Sequence, residues 1–134
     1  MAATAGCGLL DVDPEPTPEP DPLQPLLDEA LALAAAYDRA ALAQPALAGR
    51  LTPLAADHRA HATELSRVIG TDTPSAAPST SAAPDPGASL ADLRTAEQNA
   101  QRTATLSART VPAERAALVG SIAACRATHA EALR

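Results

Sequence analysis

Large aromatic side chains are nearly absent from this chain. Its 134 residues include no Trp, no Phe and a single tyrosine, Tyr37. A core built on large rings is therefore excluded, and the apolar share of 46% consists mostly of alanine and leucine. Both are strong helix formers, whereas the β-branched residues Val and Ile are scarce. The composition predicts one all-α domain with closely spaced helices.

Lysine is absent as well, so the ten basic residues are all arginines. The net charge of −6 arises from the N-terminal part of the chain, because the residues from Asp38 onward include nine acids and all ten arginines. Since no basic stripe is present to neutralise phosphates, nucleic acid is not an expected partner. No run reaches the roughly 20 apolar residues that a membrane-spanning helix needs.

Familiar catalytic motifs are also missing. The sequence contains no Gly-rich phosphate loop, no Cys-x-x-Cys, no Gly-x-Ser-x-Gly and no His-Glu-x-x-His. A binding or accessory protein is therefore favoured over an enzyme.

Proline, serine and threonine divide the chain into segments. Prolines alternate with acids between residues 11 and 25, which favours an extended, solvated tether. Residues 71–88 are rich in Ser, Thr, Pro and Ala and are predicted to form a flexible linker. We therefore predict a tether over 1–22 and a helical domain over 23–134.

Four runs with helical periodicity remain, at about 23–43, 53–69, 90–109 and 112–134. Thr52 and Ser89 are suited to N-caps, with Asp92 completing a capping box, and Gly70 is suited to a C-terminal cap. Pro45 is expected to end the first helix. Short connections within each pair predict an antiparallel up-down-up-down four-helix bundle.

Several positions on the predicted apolar faces carry polar side chains with metal-binding chemistry. They are His58, His61, Glu97, Cys125 and His129. Imidazole, thiolate and carboxylate are ligands for zinc, copper or iron, and the core of a bundle can bring them together from several helices. A metal-binding or redox site is therefore one prediction.

A buried hydrogen-bond network without metal is the alternative for the same residues. His58 or His61 could pair with Glu97 or with Tyr37, which would satisfy the buried polar groups. The pattern leaves both interpretations open. It also predicts outward or flanking positions for four arginines, namely Arg39, Arg59, Arg94 and Arg126.

The helical part resembles a small ferritin-like domain of unknown function found in actinobacterial proteins. The resemblance lies in LLDEALALAAAYDRA, ADHRAHATEL and CRATHAEALR, and it implies a ferritin-like four-helix bundle without an assigned activity. Di-iron members of the ferritin-like group use Glu-x-x-His pairs. Here Ala100 stands three residues after Glu97, so a di-iron ferroxidase is not expected.

The segment Thr4-Ala5-Gly6-Cys7 is similar to the end of a bacterial lipoprotein signal peptide. This resemblance implies lipidation of Cys7, with a basic and an apolar segment encoded upstream of Met1. It predicts an extracytoplasmic, lipid-anchored bundle in the cell envelope, a non-enzymatic module with a protein partner there. Without the upstream segment the expected location is cytoplasmic, and an unlipidated Cys7 could pair with Cys125 in an oxidising compartment.

Overall fold

The computed structural model describes residues 19–72 and 87–134. Within these ranges the chain forms four α-helices and no strand. The helices are α1 (Gln24–Ala43), α2 (Ala48–Ile69), α3 (Leu90–Ala108) and α4 (Ala113–Ala132), with a 3₁₀ turn at Pro45–Leu47. The all-α prediction is confirmed. None of the described helices combines the length and the apolar character that crossing a membrane requires.

The helix ends follow local sequence signals at three of the predicted positions. Helix α1 stops just before Pro45, and Gly70 ends α2 in the left-handed conformation, with φ of 79°. Ser89 and Asp92 form the predicted capping box at the start of α3. Thr52, however, is not an N-cap, because the 3₁₀ turn leads directly into α2 at Ala48.

Each helix packs closely against two neighbours. Helix α1 packs against α2 and α3, and α4 packs against α3 and α2. One end of the bundle is a cluster of aliphatic side chains, which we call the apolar end. It consists of Leu23, Leu26, Leu27, Ala30, Ala62, Leu65, Ala104, Val119, Ile122 and Ala123. The start of α1, the ends of α2 and α3 and the start of α4 therefore meet there.

A second, smaller cluster lies at the opposite end of the bundle. It consists of Tyr37, Ala40, Leu51, Ala55, Leu93 and Leu133. The directions of the four helices are therefore up, down, down, up, and every closely packed pair is antiparallel. This order differs from the expected alternation because the chain leaves α2 at the apolar end and enters α3 at the opposite end. The fold class, a four-helix bundle of two antiparallel hairpins, is as predicted.

Polar contacts fix both ends of the bundle. At the apolar end, Arg115 donates to both carboxylate oxygens of Asp21, at 3.0 and 2.8 Å, and to the carbonyl of Val68 at 3.3 Å. At the opposite end, Arg50 donates to the carbonyls of Ala132 and Arg134. The described chain thus starts at one end of the bundle and finishes at the other.

Two sequence predictions fall mainly outside the described residues. Cys7 and most of the tether at 1–22 precede residue 19, and most of the predicted linker at 71–88 lies between residues 72 and 87. The predicted lipidation of Cys7 and its pairing with Cys125 therefore stay predictions.

Candidate metal centre

One polar side chain from each helix meets in the interior, at the level where the aliphatic side chains of the apolar end stop. We call this group the polar layer, and it consists of Tyr37, His58, Glu97 and His129. The first three are 0% exposed and His129 is 3% exposed. Polar groups so deeply buried require partners, because leaving them unpaired costs about 1–3 kcal/mol each.

The Oε1 atom of Glu97 is the centre of this layer. The hydroxyl of Tyr37 donates to it at 2.7 Å, and the ring nitrogens His58 Nε2 and His129 Nδ1 lie 2.6 and 3.1 Å away. The His58 ring stacks on Tyr37 with centroids 5.4 Å apart, and it meets the His129 ring edge-on at 5.0 Å. Side chains from the other three helices therefore converge on one carboxylate oxygen of α3.

The charges in the layer follow from these contacts. Burial by itself would raise the pKa of Glu97, but hydrogen bonds from His129, His58 and Tyr37 outweigh burial and lower it to about 2. Burial would lower the pKa of His129, but the adjacent Glu97 and Asp57 carboxylates raise it instead. Burial and the Glu97 charge raise the pKa of Tyr37. The layer therefore holds a carboxylate anion at neutral pH and favours the imidazolium form of His129.

The second ring nitrogen of His129 faces a different pair of side chains. His129 Nε2 lies 3.2 Å from Asp57 Oδ2 and 3.3 Å from Cys125 Sγ. The Asp57 side chain is 55% exposed and Cys125 is half-buried, so this side of the ring is close to solvent. Burial, together with the negative charges of Asp57 and Glu97, raises the pKa of the Cys125 thiol.

Some buried polar atoms near the polar layer have no hydrogen-bond partner in the described protein. They include Glu97 Oε2, His58 Nδ1 and His61 Nδ1. Three donors therefore share one oxygen of Glu97 while the other oxygen accepts none. A carboxylate has room for about four hydrogen bonds over its two oxygens, so the protein network alone leaves Glu97 incompletely satisfied.

Three of the five predicted ligands come together. Single ligand atoms of His58, Glu97 and His129 all lie within 4.8 Å of one another. Cys125 belongs to a different group of the same tightness, with His129 and Asp57. His61 belongs to neither group; it is only half-buried, and burial lowers its pKa to about 4.

Asp57 was missed by the sequence reasoning, because it lies on the exposed side of α2. A usable signal is present on α4, where Cys125 and His129 are four residues apart and hence on one face of the helix. Asp57 directly precedes His58 and points to the neighbouring surface of α2. Asp57 therefore borders the predicted apolar face of α2, where a polar side chain can still reach a ligand on α4.

The prediction of an outward or flanking position is wrong for Arg126. Arg126 is 0% exposed, and its Nη1 donates to Glu29 Oε2 at 2.6 Å and to the carbonyl of Ala100 at 3.0 Å. Helix α4 is rotated from the predicted orientation, so its buried face passes through Val119 and Arg126 instead of Leu118 and Cys125. Alanines on several faces of α4 gave the hydrophobic pattern too little contrast to fix this rotation.

The directions of the helices explain which residues meet. In an alternating bundle the end of α4 would lie beside the end of α2, one helix length from the start of α2. Because α4 runs the other way, His129 comes level with His58 on α2 and with Tyr37 on α1. The polar layer therefore follows from the direction of the second hairpin.

No protein-family model matches the chain, and no curated protein or solved structure matches it either.

The arrangement offers two imidazoles and one carboxylate from three different helices. Two histidines with one carboxylate are a common ligand set for zinc with an open coordination position and for non-haem ferrous iron. The carboxylate is anionic at neutral pH, and the imidazole nitrogens become ligands once their protons are lost. The hydroxyl of Tyr37 donates to the same Oε1 atom and so orients Glu97, as outer partners of metal ligands do.

Proposed function

We propose that this protein is a metal-binding four-helix bundle that holds a divalent transition metal, zinc or ferrous iron, through His58, Glu97 and His129. One observation carries the proposal. Three side chains of metal-binding chemistry, all at most 4% exposed, present ligand atoms within 4.8 Å of one another.

The spacing of these atoms is close to that of a coordination sphere. Zinc bonds of about 2.0–2.1 Å in a tetrahedron set ligand atoms about 3.3 Å apart. The two nitrogens lie 2.6 and 3.1 Å from Glu97 Oε1, so each of these two distances would have to lengthen by less than 1 Å to admit a metal ion. The ion takes the place of the protons that now lie between the imidazoles and the carboxylate.

The unpartnered buried atoms favour a metal over a complete hydrogen-bond network. Glu97 Oε2 accepts no hydrogen bond in the described protein. A cation bound to both oxygens of the carboxylate would satisfy Oε2 as well as Oε1, and it would compensate the buried negative charge. An ordered water molecule is the competing occupant, and metal analysis separates the two.

The ferritin-like resemblance, the lipid anchor at Cys7 and the role as an envelope module with a protein partner remain proposals from the sequence. They are compatible with metal binding, because an anchored bundle and a soluble one would use the same interior. Sequencing upstream of the Met1 codon tests the anchor independently.

Thermal unfolding of tag-free, chelator-treated protein with and without added Zn²⁺ tests the metal site. A ligand at 100 times its Kd stabilises the folded state by about 2.7 kcal/mol, so Zn²⁺ is expected to raise the Tm by several degrees. Elemental analysis after dialysis is expected to find zinc retained in a stoichiometric amount.

Variants on helix α2 provide a matched pair for this experiment. His58→Gln, which keeps a hydrogen-bond donor towards Glu97, is expected to abolish most of the zinc-induced shift. His61→Gln makes the same change less than one turn away, at a residue outside both ligand groups, and is expected to keep the shift. An unchanged Tm and no retained zinc in the unaltered protein would show that the polar layer is structural.

A further inference from the structure

We propose that a second divalent metal ion binds outside the first, to Asp57, Cys125 and the Nε2 atom of His129, so that the His129 ring bridges two ions. This inference rests on the proposed function, because the inner ion occupies the Nδ1 side of the same ring. It adds a solvent-facing site with a thiolate ligand to an interior site that has none.

The second group meets the same distance limit as the first. Asp57 Oδ2 and Cys125 Sγ lie 3.2 and 3.3 Å from His129 Nε2, and one ligand atom from each residue lies within 4.8 Å of the others. Zn–S bonds of about 2.3 Å and Zn–N or Zn–O bonds of about 2.0–2.2 Å produce comparable separations. Asp57 on α2 faces Cys125 and His129 across the contact between α2 and α4.

The two groups differ in their access to solvent. The side chains of the inner group are at most 4% exposed, whereas the Asp57 side chain is 55% exposed and Cys125 is half-buried. The outer ion can therefore keep water in its fourth position and can exchange without opening of the bundle. Thiolate, imidazole and carboxylate together suit zinc or cobalt(II) better than hard cations such as magnesium.

The charges of the ligands balance two divalent ions. With both ring nitrogens engaged, His129 is an imidazolate, and it joins the carboxylates of Glu97 and Asp57 and the thiolate of Cys125. Four negative ligands then face two ions of charge +2. The outer ion displaces the proton that lies between His129 and Asp57 and the proton of the Cys125 thiol, and both protons pass to solvent. The nearby Arg126 is paired with Glu29, so it leaves this balance unchanged.

Anaerobic titration of the chelator-treated full chain with Co²⁺ tests the inference. A thiolate bound to cobalt(II) has a charge-transfer band in the near ultraviolet, which the inner site cannot produce. We expect two equivalents of cobalt to bind per chain. The final intensity of the band should correspond to one cobalt ion bound to one thiolate.

Both cysteines of the chain allow a matched comparison. Cys125→Ala is expected to remove the band and one of the two equivalents, while the inner ion stays bound. Cys7→Ala makes the same substitution at the other cysteine and is expected to keep both. Loss of the band in the Cys7 variant would overturn the assignment of the thiolate.

Zinc stoichiometry separates failure of this inference from failure of the proposed function. A single equivalent that is lost in His58→Gln and kept in Cys125→Ala would overturn the outer site and leave the inner one in place. A single equivalent lost in Cys125→Ala and kept in His58→Gln would overturn the bridged pair together with the inner site. Absence of binding would overturn both.

Discussion

The apolar end and the polar layer of this bundle solve the same packing problem in different ways. At the apolar end, leucine, alanine, valine and isoleucine side chains fill the space between the helices. In the polar layer, one residue of each helix contributes to a cluster around the Glu97 carboxylate. Aliphatic side chains tolerate exchange among similar volumes, whereas a buried carboxylate with three neighbours depends on the position and chemistry of each.

This difference implies that the polar layer contributes less to folding stability than an aliphatic layer of the same size would. A chain without Trp or Phe has little apolar area to spare, and aliphatic residues in place of the layer would serve stability as well or better. A buried polar cluster in that setting is compatible with the metal site that we propose. Substitutions in each region test whether the two regions differ in their effects on stability and on zinc binding.

The largest effect is expected from Glu97→Ala. This change leaves Tyr37, His58 and His129 buried without their common acceptor, and it opens a cavity among them. Removal of one member of a buried polar or ionic cluster costs about 3–5 kcal/mol. Urea unfolding of the metal-free protein measures the loss.

Glu64→Ala is the control for this experiment. Glu64 is an exposed glutamate that pairs with Arg67, three residues further along α2. Its removal is expected to change the free energy of unfolding by less than about 0.5 kcal/mol. Equal effects of the two substitutions would mean that the Glu97 contacts contribute nothing to stability.

A loss of about 2–5 kcal/mol is expected from Leu27→Ala at the apolar end. Leu27 is 0% exposed and lies among aliphatic neighbours, so the loss combines transfer and cavity costs. Because this site is separate from the polar layer, the stabilisation by Zn²⁺ should equal that of the unaltered protein. Paired denaturation curves with and without Zn²⁺ measure this, and a reduced zinc effect would show that the two regions are coupled.

A smaller loss of stability is expected when the pH of the metal-free protein is lowered. The pKa of His61 is lowered from 6.5 to about 4 in the folded state, by burial and by the charges of His58, Arg126 and His129, with Asp57 opposing. The unfolded chain therefore binds more protons between these two pH values, and stability falls as the pH is lowered through this range. Glu97 adds a further loss below pH 4.5, towards its folded pKa of about 2.

Thermal unfolding between pH 7 and pH 4 measures this dependence. His61→Gln is expected to flatten the decline in Tm, while Leu27→Ala should lower the Tm at each pH without changing the slope. His129 acts in the opposite direction, because its raised pKa makes the folded state bind more protons than the unfolded state around pH 6.5, so this residue adds stability as the pH falls from 7. A decline that persists unchanged in His61→Gln would contradict the assignment.

Local signals in the sequence were sufficient for much of the fold. The capping box of Ser89 and Asp92 and the C-cap at Gly70 act within one helical turn, so the structure follows them directly. Glu97 was identified as inward-facing because Leu93, Ala100 and Ala104 mark the buried face of α3 clearly.

The composition of the polar layer was only partly predictable. His58 and His129 were among the candidates, but the partners of each depend on the direction of the second hairpin, which helical periodicity does not encode. The buried position of Arg126 and the place of Asp57 depend on the rotation of α4 and on contacts between helices far apart in sequence. Alanine, which fits both buried and exposed faces, hid that rotation.

The positions of the two ends of the described chain bear on how the protein should be purified. Helix α1 starts at the apolar end, whereas α4 finishes beside Arg50, within one turn of His129. A polyhistidine tag fused after Arg134 would place competing imidazoles next to Asp57 and Cys125, and nickel from an affinity column could be carried into the outer ligand group. A cleavable tag before Met1 keeps that contamination away from any measurement of metal content.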